Sequence, residues 1–228
     1  VSDSPLRQSL RAARANLGPG LVLQAFATAL VVAYYLHAPS RAGLEKLAAF
    51  RTETGMPFAL ISTAIFGALI PFAVLRFTDS GRTRYGVAQL AALVIYWAYK
   101  GFEVSVFYAW QARWFGEGKG VATIALKTFN DQFVYCPLFA APVTWLVYNW
   151  VEHGFSGATL AAEWRRPGWY ARCVLPLLVT TWVVWVPAVA VIYILPTALQ
   201  LPLQNVVLCF FTLLVIFMTR RPAGKLGS

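Results

Sequence analysis

The chain has 228 residues, of which 59% are hydrophobic and only 12% charged, and its mean hydropathy is +0.60. A soluble domain carries about 25% charged residues, so an ordinary water-soluble core is excluded. The net charge is +10, but the aromatic residues lie in apolar stretches and no basic groove is visible, which sets nucleic-acid binding aside.

The first element in chain order is an amphipathic surface helix over residues 1–17. Ser4 is a good N-cap and Pro5 suits the first helical position. Leu6, Leu10 and Leu17 share one face and Arg7, Arg11 and Arg14 another, a pattern that suits an anionic leaflet. Gly18-Pro19-Gly20 then breaks the chain. The basic stretch is followed by no clear small-residue cleavage site, so no cleavable signal peptide is expected.

Apolar windows follow at roughly 18–37, 57–77, 86–115, 128–151, 173–196 and 201–219. A helix needs about 20 mostly apolar residues to cross a bilayer, and barrel strands would alternate over about 10 residues. The expectation is an all-α, polytopic membrane bundle of about six transmembrane helices with short amphipathic surface helices. It forms a single membrane domain over 1–228. An extra N-terminal helix and its connection occupy 18–56, a helical core 57–219, and a basic tail 220–228 ends in residues that read as an appended scar. Ser40 to Glu53, with Leu44, Leu47 and Ala48 together, and Thr159 to Arg166 are the surface pieces within the chain. Trp114, Trp150, Trp164, Trp169 and Tyr170 stand near window edges, where aromatic belts form.

With six crossings, one side gathers Arg7, Arg11, Arg14, Arg76, Arg82, Arg84, Arg165, Arg166, Arg172, Arg220, Arg221 and Lys225. The other side holds Arg41, Lys46, Arg51, Arg113 and Lys119. The excess places both termini inside.

Charges inside the windows cost about 2.5–3.5 kcal/mol each at a helix centre on insertion scales, so they face protein or water and take partners. Lys100 and Glu103 lie mid-window, three apart, on a stripe with Tyr96 and Phe107. Gly101 and Ser105 form a small-xxx-small pair that admits a close neighbour. The next window opens with Lys127, Asn130, Asp131 and Gln132, and Lys127 and Asp131 share a face. The tight loop Gly116 to Gly120 makes the two helices an antiparallel hairpin folded near residue 118. Asp131 then lies about 7 Å from Lys100 in depth at 1.5 Å per residue. The expected cluster pairs Lys100 with Asp131 and Glu103 with Lys127. It serves either as an ion network fixing helix register or as the lining of a water-filled passage, with a proton relay or catalytic pair as a further reading.

Enzyme signals are thin. His37 and His153 end windows on opposite sides, so shared haem or metal ligation is set aside. Cys136, Cys173 and Cys209 read as small buried apolar residues. "GEGKG" lacks the spacing of a phosphate loop, and no Gly-x-Ser-x-Gly elbow occurs. No catalytic residue, metal or cofactor is assigned. Pro137, Pro142, Pro176, Pro187, Pro196 and Pro202 punctuate the last three helices and mark kinks.

Lys127, Asp131, Gln132 and Pro137 reproduce, without a gap, the pattern K-x3-D-Q-x4-P. Gly101, Tyr108, Arg113 and Gly116 precede it in suitable places, Asp79 and Arg82 form a charged turn further upstream, and Trp185, Pro187 and Pro196 follow. Over about 57–219 this resembles the Mpv17/PMP22 family of small membrane proteins. Phe102, Phe107 and Ala112 depart from the family's proline, tryptophan and aspartate. One residue intervenes between Trp185 and Pro187, and apolar Ala and Val follow where the family has Gln and Asn. Window one adds a helix to the family's usual set. The resemblance is to a divergent, bacterial-type member. It implies a pore or channel role in metabolite flux or membrane-potential and redox balance, with Lys127, Asp131 and Gln132 lining or shaping the pore. It implies a bacterial cytoplasmic membrane or, in a eukaryote, the mitochondrial inner or peroxisomal membrane.

The leading expectation is therefore a low-selectivity channel for small ions or metabolites, with the lipid bilayer and those solutes as partners. A structural or lipid-binding membrane protein is the alternative, and a membrane enzyme acting on a lipid-soluble substrate the third. A channel needs a continuous polar stripe, which is clear in windows three and four and thin elsewhere; a homo-oligomer would close the gap.

Overall fold

The computed structural model describes residues 17–76 and 86–218. The N-terminal surface helix expected up to Leu17, the charged turn at Asp79 and Arg82, and the basic tail 220–228 lie outside the described residues, apart from Leu17 itself. Eight helices follow in order: α1 Leu17–Leu36, α2 Ala38–Thr54, α3 Met56–Arg76, α4 Val87–Phe115, α5 over 121–152, α6 Gly157–Trp164, α7 over 170–192 and α8 Thr197–Met218. Among the described residues there is no strand.

Local chemistry sets the breaks. His37 leaves the helical region (φ −119, ψ 105), and its ring accepts from the Ser40 amide at 3.3 Å, with Pro39 in the first turn. The axis turns by 101° between α1 and α2. Helix α2 therefore lies across an end of the bundle. Its Leu44 and Ala48 pack on the core while Arg41, Glu45 and Lys46 stay exposed, as the amphipathic pattern at 40–53 requires. Gly55, at φ 62, takes the left-handed turn that a side chain would resist, and its N–H closes on the Arg51 carbonyl. Helix α6 matches the surface piece expected at 159–166, and Ser156 caps it.

The core is helix against helix. Leu23, Ala27, Val31 and Tyr34 of α1 meet Val184, Ala188 and Ile192 of α7 and Leu199 and Val207 of α8. Helices α3 and α4 touch at Gly101, where an added Cβ would strike the Ala59 carbonyl and Thr63. This is the close approach that small residues permit; Ser105, one turn on, is only half-buried. Thr63 and Asn205 tie α3 to α8 at 3.0 Å. Outward, Leu21, Leu36, Ile61, Val87, Ile95 and Leu138 are exposed, a girdle of large apolar side chains that water would penalise.

Two helices, α3 and α4, are long and apolar enough to cross a membrane. Counting the bent pairs α1 with α2 and the two parts of α7, which meet at 50°, as one span each brings the number to four. The expectation of six came from apolar content over sequence windows. Helix α5 is not among these spans, and its first half carries Lys127, Asn130, Asp131 and Gln132; the apolar stretch of α8, Thr197–Leu213, is short.

Helix α5 widens into a π-helix over Asn130–Ala140, and Pro137 lies inside it. In an i→i+5 ladder the missing amide of Pro137 would have served the Gln132 carbonyl. The Trp182 indole of α7 donates to that carbonyl at 2.8 Å and replaces the lost bond. Pro187 likewise lies inside α7, and Gln24 of α1 donates to the nearby Val184 carbonyl at 2.6 Å.

Candidate functional site

Helices α4, α5, α7 and α8 enclose a cavity of about 290 Å³. Lys100, Tyr108, Asp131, Gln132, Tyr135 and Gln204 give it polar groups, and Trp97, Phe107, Trp185, Leu208 and Phe211 give it apolar walls. Trp185 also meets Phe211 edge-on, ring centroids 6.1 Å apart.

Lys100 and Glu103 are both buried and pair with each other along α4. Tyr135 of α5 completes this group: its hydroxyl donates to Glu103 and accepts from the Lys100 ammonium at 3.2 Å. The second Glu103 oxygen, Oε2, is sealed from solvent without a partner. The hairpin does fold near residue 118, which is why position 135 arrives beside position 100. The expected cross-helix pairs do not form. Lys100 faces the same cavity as Asp131 but is held by Glu103, one turn away on its own helix. Lys127 is likewise not paired with Glu103.

Asp131 is held by neutral donors. Tyr193 of α7 donates to Oδ2 at 2.6 Å and Gln132 to Oδ1 at 2.8 Å. Two or more such bonds stabilise a carboxylate in place of a cation. Gln111 of α4, fully buried, joins three elements: its amide donates to the Lys127 carbonyl at 2.9 Å and to the Tyr193 hydroxyl at 3.1 Å, and its oxygen accepts from Asn130 at 3.1 Å. Tyr108 donates to Gln204 of α8. At the far end Tyr96 meets Thr144 at 2.6 Å, and Trp97 donates to Tyr148 at 3.1 Å.

The predicted residues thus divide. Lys100 and Glu103 form one polar group; Asn130, Asp131 and Gln132 form another with Gln111 and Tyr193; Lys127 stands at its edge, buried, with its ammonium 5.7 Å from the Tyr193 ring centre. Gly101 and Pro137 shape backbone contacts, and Trp185 and Pro187 lie within α7, whose 50° bend falls between Val179 and Thr181. Gln111, Tyr135 and Tyr193 are not singled out in the sequence, and Tyr108 is named there only as part of the family resemblance. Gln111 was within reach, since the stripe Tyr96, Lys100, Glu103 and Phe107 extends to it by one more turn. The tyrosines carried no such signal in a chain rich in membrane-edge aromatics. Among the described residues no three His, Cys, Asp or Glu side chains gather as a metal site. His37 and His153 sit at helix ends, His37 as the cap of α2.

Comparison with known proteins gives no matching family model, no matching curated protein and no matching solved structure.

Proposed function

We propose that this protein is a membrane conduit for small ions or metabolites, with a polar column through the bundle as its path. In this reading α1, α3, α4, α5, α7 and α8 all cross the bilayer, α2 and α6 lie at its two faces, and both termini face the cytoplasm. The membrane is the bacterial cytoplasmic membrane or, in a eukaryote, the mitochondrial inner or peroxisomal one. The observation that carries the reading is the continuity of polar groups on the inward face of α4. Gln111, Tyr108, Glu103, Lys100 and Tyr96 follow one another over about 22 Å at 1.5 Å per residue, against a hydrocarbon core of about 30 Å. Asp131, Gln132, Tyr193 and Gln204 answer them from three other helices, and the cavity lies alongside. Kinship with the Mpv17/PMP22 family is proposed with it, on the K-x3-D-Q-x4-P motif, whose Asp131 and Gln132 line that cavity.

A second reading has one observation in its favour. Lys100, Glu103 and Tyr135 bond to one another within the hairpin, as a register-fixing network would. A structural or lipid-binding protein needs no wetted path. Cysteine accessibility separates the two. In a background with Cys136, Cys173 and Cys209 replaced by Ala, cysteines at Val104, Tyr108 and Gln132 are exposed to a charged, membrane-impermeant thiol reagent in proteoliposomes. A conduit gives labelling at all three and none at lipid-facing Ile95. A sealed bundle gives labelling at none.

A further inference from the structure

We propose that the cavity between α4, α5, α7 and α8 is a binding pocket for one small, uncharged aromatic molecule with a hydrogen-bond donor and acceptor side by side, as in a carboxamide or lactam. Burial gives the cavity a direction. On α4, α5 and α7 the lining residue at one end is buried (Tyr108, Asp131 and Val189), and at the other it is half-buried (Trp97, Tyr148 and Leu177). Direct contacts hold both ends together. At the buried end Tyr193 donates to Asp131 at 2.6 Å and packs edge-on against Tyr108 at 5.5 Å. At the other end Trp97 donates to Tyr148 at 3.1 Å. The cavity is thus a cup with a floor and a mouth, about 16 Å apart along α4 at 1.5 Å per residue.

The walls are aromatic. Phe107 stacks on Tyr135 with ring centroids 4.1 Å apart, and Trp185 meets Phe211 edge-on. The wall threonines spend their hydroxyl hydrogens on their own helices: Thr144, Thr181 and Thr212 donate to the Ala140, Leu177 and Leu208 carbonyls. The floor, by contrast, keeps hydrogen-bonding capacity. Gln132, 4% exposed, donates to Asp131 and leaves its amide oxygen without a donor among the described residues. Gln204 accepts from Tyr108 and leaves its amide nitrogen without an acceptor among them. The polar atoms that are both sealed and unpartnered lie on other residues, so these two atoms are open to the cavity that both side chains line. The contacts Gln204 to Tyr108, Tyr108 to Tyr193, Tyr193 to Asp131 and Asp131 to Gln132 set the two amides on one floor. Charge selects against an ionised ligand. The charged residues buried in the described bundle are Lys100 and Lys127 against Glu103 and Asp131, which sum to zero, and a further charge would stand uncompensated in an apolar surround. A volume of about 290 Å³ lies near the lower end of small-molecule sites and suits one or two fused rings. A site that hydrogen-bonds its ligand rejects an analogue lacking those groups.

This goes beyond the conduit, because binding at equilibrium needs no conduction. The probe is naphthamide, an uncharged aromatic carboxamide, in equilibrium dialysis of the intact chain in phosphatidylcholine nanodiscs against discs without protein, which cancels partition into lipid. Naphthoate and naphthylmethylammonium carry the same rings with either charge. The expected result is a saturable excess of one naphthamide per chain, weakened about tenfold or more by Gln132→Leu and by Gln204→Leu, and unchanged by lipid-facing Ile95→Ala. Both charged analogues are expected to bind at least about tenfold more weakly. Gln204 is only half-buried, and its variant serves as the reference should Gln132→Leu fail to fold. No saturable excess, equal binding by the parent and the amide variants, or tighter binding of either charged analogue overturns the proposal. Saturable binding by a protein that passes no current keeps the pocket and removes the conduit; current without saturable binding does the reverse.

Discussion

Gly101 is the residue on which the α3–α4 contact turns. A methyl there would meet the Ala59 carbonyl, which belongs to the backbone of a packed helix and cannot swing aside. Gly101→Ala is expected to cost about 1–3 kcal/mol as overpacking and to lower the melting temperature in detergent; an unchanged melting temperature would show that the two helices part without penalty. Gln111 works by the opposite logic, through partners rather than absence of bulk. Gln111→Leu takes from the Asn130 amide and the Lys127 carbonyl the bonds they share with Gln111. The Lys127 carbonyl keeps its bond from the Asn130 backbone N–H, so the loss falls mainly on the half-buried Asn130 amide and the Tyr193 hydroxyl; a fall in stability of about 1–3 kcal/mol is expected. The two residues differ in how well the sequence announces them. Gly101 is visible as half of a small-residue pair beside a buried charge. Gln111 sits on the same stripe, but nothing in the chain says that Tyr193, eighty-two positions away, will meet it.

At the scale of the element, α5 shows what a proline does when a neighbour compensates. Pro137 removes a donor, the π-helix shifts the orphaned acceptor to Gln132, and Trp182 fills it. A double-mutant cycle reads this coupling. Trp182→Phe should cost about 1 kcal/mol in the parent and distinctly less in a Pro137→Ala background, where an amide is available again. Equal costs in both backgrounds would separate the indole from the proline. Helix α4 offers a second cycle. Breaking the Lys100–Glu103 pair from one side strands a buried charge, and such losses run to about 3–5 kcal/mol, while removing both partners is often close to neutral. Lys100→Met alone is therefore expected to destabilise far more than Lys100→Met with Glu103→Met, as read by chemical unfolding in micelles. The spacing of three predicted that these two charges share a face, and the glycine loop predicted the hairpin register. What the spacing did not predict is that the nearer partner, one turn along the same helix, would win over Asp131 across the hairpin. That outcome depended on Tyr135 and Tyr193 arriving as neutral donors from positions with no charge to mark them.

For the whole molecule, composition made the all-helical, apolar character legible, and the window end at His37 and the Gly116–Gly120 loop marked helix boundaries, whereas Gly18-Pro19-Gly20, expected to break the chain, lies within α1. The number of crossings was less legible. Helix α5 carries the polar run Lys127 to Gln132 in its first half, and apolar content alone does not say whether such a helix crosses lipid, lines water or is shielded by its neighbours. Within the bundle it is shielded, by Gln111, Tyr193 and Trp182. The proposed conduit requires that this shielded polar column carry solute. Conductance of the purified protein in a planar bilayer, with Asp131→Asn measured beside the parent, tests it most directly. The account predicts discrete currents in the parent and a changed conductance or ion preference in Asp131→Asn. Well-folded protein that stays silent across voltage and pH would contradict it, and would make the column a device that holds the helices in register.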